Sequence, residues 1–190
     1  MISIKNLPSS YQKFSTLANT SYYEITNNDG IVKKDSLIND NIIKVLDFDA
    51  IKNEYLDNEK KLSVRRDDTT GREIKYLKSV DALYTKDDDI YLIEFKAGIH
   101  IKPKDIKEKF LHSYIIIMDI LDVDMAYIQN NIISLTVFSE SKHNESRLRE
   151  RNDNSQRLFL FDDFYKLGYF KEVLTISDKE FKNTYLQSWT

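Results

Sequence analysis

The sequence predicts an α/β fold, a mixed central sheet flanked by helices, and three observations carry that reading. Two strand-like runs, Val80–Thr85 and Ile90–Lys96, are joined by the polar Lys86-Asp87-Asp88-Asp89. After Pro103, the run Lys104–Leu121 places Ile106, Phe110, Tyr114, Ile117, Met118 and Leu121 at steps of three and four, which makes one apolar helix face. Asn131–Phe138, NIISLTVF, is β-branched and strand-like. A hairpin ahead of a main helix, with a strand after it, is neither a helical bundle nor a barrel.

The other elements follow in order. Met1 to Asn28 reads as a short helix and a strand, with Asn27-Asn28-Asp29-Gly30 as a turn. From Ser36 to Leu62, Ile42, Ile43, Val45, Leu46, Ile51, Tyr55 and Leu56 fit helical spacing, interrupted near Asp47-Phe48-Asp49. Arg65 to Gly71 is an exposed loop, and Ser141–Gln156 is a polar, charge-dense one. Leu158–Leu167 reads as a helix ended by Gly168, and Lys171–Ile176 as a strand. Ser177-Asp178-Lys179-Glu180 has the capping-box pattern that opens a last helix, Lys179–Gln187.

At 190 residues, with no linker composition and no repeat, the chain is expected to form a single domain spanning 1–190. An apolar share of 41% excludes a disordered chain. The net charge of −3 neither recruits nor repels nucleic acid in bulk, so a nucleic-acid enzyme would have to gather its basic residues locally. The absence of cysteine removes disulfides, thiolate chemistry and Cys-based zinc sites. With histidines only at His100, His112 and His143, a metal here would be a hard cation held by oxygen. MISIKNLPSSYQKF lacks a long apolar core and a small-residue cleavage site, and no apolar run is long enough to span a bilayer. The expectation is a cytoplasmic protein with no membrane partner.

The chemistry concentrates in YLIEFK, residues 91–96, a strand that reads as buried on both faces yet carries Glu94 and Lys96. A buried charge is costly unless it is paired or holds an ion. With a four-residue connection, Lys86–Asp89, the hairpin register sets Thr85 against Ile90 and continues until Asp81 faces Glu94. Their Cβ atoms would lie roughly 4.5–5.5 Å apart, and like charges so placed destabilise a sheet. A divalent cation between them reverses that sign. Mg²⁺ suits the pair, with Mn²⁺ as its alternate, because such an ion takes one or two carboxylates and completes its shell with water and substrate phosphate. The Phe95 carbonyl is the candidate for a further ligand. Lys96, two residues on and on the same face as Glu94, is placed to orient a metal-bound water and offset charge on a phosphate. This is phosphodiester hydrolysis chemistry.

Asp81, twelve intervening residues, then Glu94-Phe95-Lys96 in an apolar strand followed by a helix resembles the PD-(D/E)xK nuclease superfamily. The resemblance covers roughly Lys78–Leu121, and Val80 stands where the nominal pattern has proline. It implies a restriction-endonuclease-like αβββαβ core, Asp81 and Glu94 as metal ligands, Lys96 as the catalytic lysine, and DNA as the substrate. By the same analogy, cutting both strands of a duplex calls for a homodimer. Some members add an acid from an upstream helix; Asp47, Asp49 and Glu54 are the candidates, and the sequence does not choose among them.

Competing readings stand beside these. Asp81, Glu94 and Lys96 read structurally as an ion pair at an edge strand, which leaves unexplained why two carboxylates face one lysine. The scaffold also suits a binding or regulatory protein that does not cleave. Asp87-Asp88-Asp89 lacks the glycine and distal glutamate of a calcium loop and reads as a solvated turn. His112, at the border of the helix's apolar face, reads as a partly buried, hydrogen-bonded histidine. Arg65 and Arg66, with Lys142, Arg147, Arg149 and Arg151 in the later loop, read equally as phosphate contacts or as ordinary solvated residues.

Overall fold

A computed structural model describes residues 45–59, 69–70, 77–96, 101–142 and 161–189. Its centre is strand β3 (Asp89–Lys96), whose residues Leu92, Ile93, Glu94 and Phe95 are all buried. On one side it pairs antiparallel with β2 (Ala82–Lys86), which pairs in turn with the short β1 (Leu46–Asp47). On the other side it pairs in parallel with β4 (Ile132–Phe138), which pairs with β5 (Glu172–Ser177). Among the described residues the result is a five-stranded mixed sheet in the order β1-β2-β3-β4-β5. β3 is therefore an interior strand, and its near-continuous apolar run is what burial on both faces requires.

The hairpin is tighter than the sequence suggests. Lys86 pairs with Asp89, so the connection is the two residues Asp87-Asp88 and not four, although Thr85 still faces Ile90 as expected. Asp87 takes a left-handed backbone (φ 55), a conformation aspartate tolerates in turns. Both turn residues are exposed, while Asp89 pairs with Lys171 at 2.6 Å.

Helix α1 (Phe48–Glu54) begins where the helical spacing breaks, because Asp47 caps it by accepting the Ala50 N–H at 3.0 Å. Residues Leu46 and Asp47 just ahead join the sheet instead. Helix α2 (Pro103–Leu121) starts with proline in its first turn and ends at Asp122 in a left-handed conformation (φ 51). It is followed by α3 (Met125–Asn131), which sequence spacing does not reveal, and these two make the crossover to β4. Helix α4 (Asp162–Lys166) precedes β5, and Gly168 closes it with φ 67, as expected. The C-terminal cap forms, with Ser177 Oγ accepting the Glu180 N–H at 3.1 Å. The helix it opens, Asp178–Glu180, widens into a π-helical stretch, Phe181–Leu186.

Side chains of α1, α2 and α4 pack on one face of the sheet against Leu83, Ile90, Leu92 and Val173. Phe181, Leu186 and Trp189 of the C-terminal run cover the other face against Ile93, Phe95, Leu135 and Val137. By strand alternation Glu94 and Lys96 point to the α2 face, the face of Leu92. Among the described residues no helix is long and apolar enough to cross a membrane.

Candidate active site

Glu94 is fully buried, 0% exposed, on the interior strand. Lys96 lies on the same face and its Nζ reaches Glu94 Oε1 at 2.5 Å. Asp81 sits one residue before β2, 7% exposed, where regular pairing has just stopped. Its N–H donates to the Ile93 carbonyl at 3.0 Å, and its Oδ2 accepts the Phe95 N–H at 2.7 Å. Asp81 thus does not continue the ladder opposite Glu94 as a regular register would have it. Its carboxylate takes over a backbone donor that the ladder has left, and this holds it against β3.

The position of the Phe95 carbonyl follows from the strand itself. A strand residue's N–H and C=O point to the same edge, and neighbouring residues alternate. The Phe95 N–H goes to Asp81, so its carbonyl also faces the Asp81 edge. The Lys96 carbonyl faces β4 and accepts the Ser139 N–H at 3.1 Å. Asp81, Glu94, Lys96 and the Phe95 carbonyl are therefore gathered at one end of β3, near the carboxyl ends of the parallel strands. Open α/β sheets commonly bind their ligands there.

The structure adds Lys109 of α2. Its Nζ stands 2.7 Å from Glu94 Oε1 and 3.2 Å from Asp81 Oδ1. Burial works against its charge, but the Glu94 and Asp81 carboxylates beside it hold its ammonium well above the ordinary lysine range. The two carboxylates are thus not bare like charges, as the hairpin alone suggests, because two ammonium groups balance them. Helix packing holds Lys109 in place: burying Ile106, Phe110 and Ile117 contributes about 1.5–3 kcal/mol each, enough to outweigh the cost of desolvating one paired lysine. The sequence did carry a signal. Lys109 is three residues after Ile106 and four before Ser113, both buried, so it lies on the helix's inward face.

One oxygen of the cluster is unused. Lys96 and Lys109 both donate to Glu94 Oε1, while Glu94 Oε2 is buried with no hydrogen-bond partner among the described residues. Thr136, the β4 residue in register with Glu94, likewise has a buried Oγ1 with no partner among the described residues. A buried polar atom left unpaired costs about 1–3 kcal/mol, so a water or an ion is expected to meet it.

Of the three upstream acids, Asp47 is used as the α1 cap, while Asp49 lines a cleft of about 390 Å³ beside the cluster. Lys52, Lys78, Ser79, Lys96 and Lys109 line it too. Asp49 accepts hydrogen bonds from Ser79 Oγ and from Lys52 Nζ. Partial burial raises its pKa, but those bonds and the charges of Lys52 and Lys109 outweigh this and leave it below the ordinary carboxylate value. Lys78 crosses to α2, reaching Glu108 at 2.5 Å, and its N–H donates to His112 Nδ1 at 3.0 Å. His112 is the half-buried, hydrogen-bonded histidine the sequence suggests.

Arg65, Arg66, Arg147, Arg149 and Arg151 lie outside the described residues. Lys142 ends the 3₁₀ turn Glu140–Lys142, and its side chain also lies outside them. Among the described residues, no group of three or more His, Cys, Asp or Glu side chains is gathered closely enough to hold a metal ion. No protein-family model, curated protein or solved structure matches this chain.

Proposed function

We propose that the protein is a Mg²⁺- or Mn²⁺-dependent nuclease of the PD-(D/E)xK type that hydrolyses phosphodiester bonds in DNA. One observation carries the reading: Asp81, Glu94 and Lys96 meet at the end of the central strand around a fully buried glutamate with one unpartnered oxygen. Two carboxylates and the Phe95 carbonyl are hard oxygen donors, the type Mg²⁺ takes, and an ion that keeps several waters needs no third side-chain acid. A bound ion would supply an activated water and polarise a phosphoryl oxygen.

The chain's own residues do the rest. Lys96, held by Glu94 and 25% exposed, presents its ammonium to the cleft, where it orients the attacking water and offsets charge on the phosphate. Lys52, Lys78, Lys96 and Lys109 line the same cleft with Asp49 and Asp105, so lysines outnumber acids on its wall despite the acidic net charge, although Lys52 and Lys78 are themselves ion-paired. DNA as the substrate rests on the resemblance. On this reading β1, β2 and β3 are the antiparallel part of the αβββαβ core, α2 is its crossover helix and β4 its parallel strand.

A non-cleaving binding or regulatory protein is the second reading. It is favoured by the Lys109 contacts, which together with Lys96 balance both carboxylates without any ion. A cleavage assay of wild type and Lys96→Ala on single-stranded, duplex and branched DNA, and on RNA, with Mn²⁺ separates the two. Cleavage by wild type that is lost in Lys96→Ala supports the nuclease. No cleavage of any substrate, or equal turnover in the variant, rejects it.

A further inference from the structure

We propose that Lys109 and a divalent cation are alternative occupants of the space between Asp81 and Glu94, so that ion binding releases the Lys109 ammonium into the cleft as a phosphate-binding group. The inference rests on the metal-dependent reading above and assigns that site a residue which sets its affinity.

Lys109 Nζ touches one oxygen of each proposed metal ligand, at 3.2 Å and 2.7 Å. An ammonium and a divalent ion held against the same oxygens in a buried site repel strongly, so the two do not share it. The protein's donors also leave the cluster incomplete: both lysines crowd Oε1 of Glu94 and neither reaches Oε2, which is buried and unpartnered. That spare acceptor is not part of a finished salt-bridge network. A second cation source explains it.

Lys109 has somewhere to go. Its side chain is 22% exposed and already lines the cleft with Lys52, Lys78 and Lys96. Rotation of its flexible stem moves the charge there without shifting α2. Before the exchange Lys109 is spent on carboxylates; afterwards it adds a free positive charge to the phosphate-facing wall. Ion and phosphate then favour each other's binding, and by linkage the coupling is reciprocal.

The test pairs calorimetric Mn²⁺ titration of wild type, Lys109→Met and Lys52→Met with acetylation footprinting of wild-type lysines, read by mass spectrometry with and without Mn²⁺. Lys109→Met is expected to bind Mn²⁺ about tenfold more tightly or better, while Lys52→Met, which removes an equal charge from the cleft but not from between the carboxylates, changes affinity far less. Lys109 of the wild type should become several-fold more reactive when Mn²⁺ is present, with the exposed Lys179 unchanged. Binding by Lys109→Met alone also supports the exchange, since wild type is then held closed by its own lysine. Equal or weaker binding by Lys109→Met, with unaltered Lys109 reactivity, overturns the exchange and leaves the metal site standing. No Mn²⁺ binding by any of the proteins overturns both. If Lys109→Met does not fold, the footprint decides: a rise supports the exchange and no change overturns it.

Discussion

The Asp81 carboxylate accepts the backbone N–H of Phe95 at 2.7 Å, at the point where β2 has stopped pairing with β3. Its other oxygen meets Lys109. Two bare, opposed carboxylates would be relieved by Asp81→Asn, and stability would rise. With both oxygens engaged the sign reverses, and Asp81→Asn is expected to lower stability by about 1–3 kcal/mol through a weakened buried acceptor and a lost charge pair. Urea denaturation without metal measures this. A higher midpoint in the variant contradicts the contacts described.

Ser113 holds the chain just ahead of Asp81. Its Oγ, fully buried on α2, accepts the Val80 N–H at 3.0 Å and so ties the chain just before Asp81 to the helix that carries Lys109. Ser113→Ala leaves that buried N–H unpaired and should cost about 1–3 kcal/mol. A variant as stable as wild type in chemical denaturation would show that the bond does not hold the entry to β2.

Alkaline pH should weaken the fold through Tyr91. Burial first, and then the Asp89 charge, push its phenol up from 10.0 to about 12. The folded state therefore keeps a proton that the unfolded chain loses near the ordinary value. This contribution is complete below pH 10 and is lost as pH rises towards 12. Tyr91→Phe should flatten that part of the stability curve, with its ring still set against Trp189 at 5.1 Å. An unchanged slope in the variant, followed by denaturation midpoints across the range, rules Tyr91 out.

The fold class was legible because its signals are local. The apolar run of β3, the three- and four-residue spacing of α2, Gly168 and the Ser177 cap each specify an element within a few residues. Helix α3 was not, since in MAYIQNN only Ile128 is buried and no apolar face repeats. The two-residue hairpin turn depends on Asp87 accepting a left-handed backbone, which its identity permits but does not demand.

The candidate site divides along the same line. Glu94 and Lys96 were readable from strand alternation, whereas Asp81, expected opposite Glu94, lies just past the end of the ladder and is held against β3 by its bond to the Phe95 N–H. Lys109 enters from another element, and only the packing of α2 against the sheet sets its ammonium between the two acids. Asp49 could not be chosen over Asp47 and Glu54, because the choice depends on α1 lying beside Ser79, a contact thirty residues away in sequence.

The most direct measurement is a calorimetric titration of wild type and Glu94→Gln with Mn²⁺, after circular dichroism has shown that both fold. If Asp81 and Glu94 form a cradle for a divalent ion, the wild type binds and the variant does not. Equal binding by both would contradict a metal site at Glu94, and binding by neither, with none by Lys109→Met, would leave the four charges as a structural network.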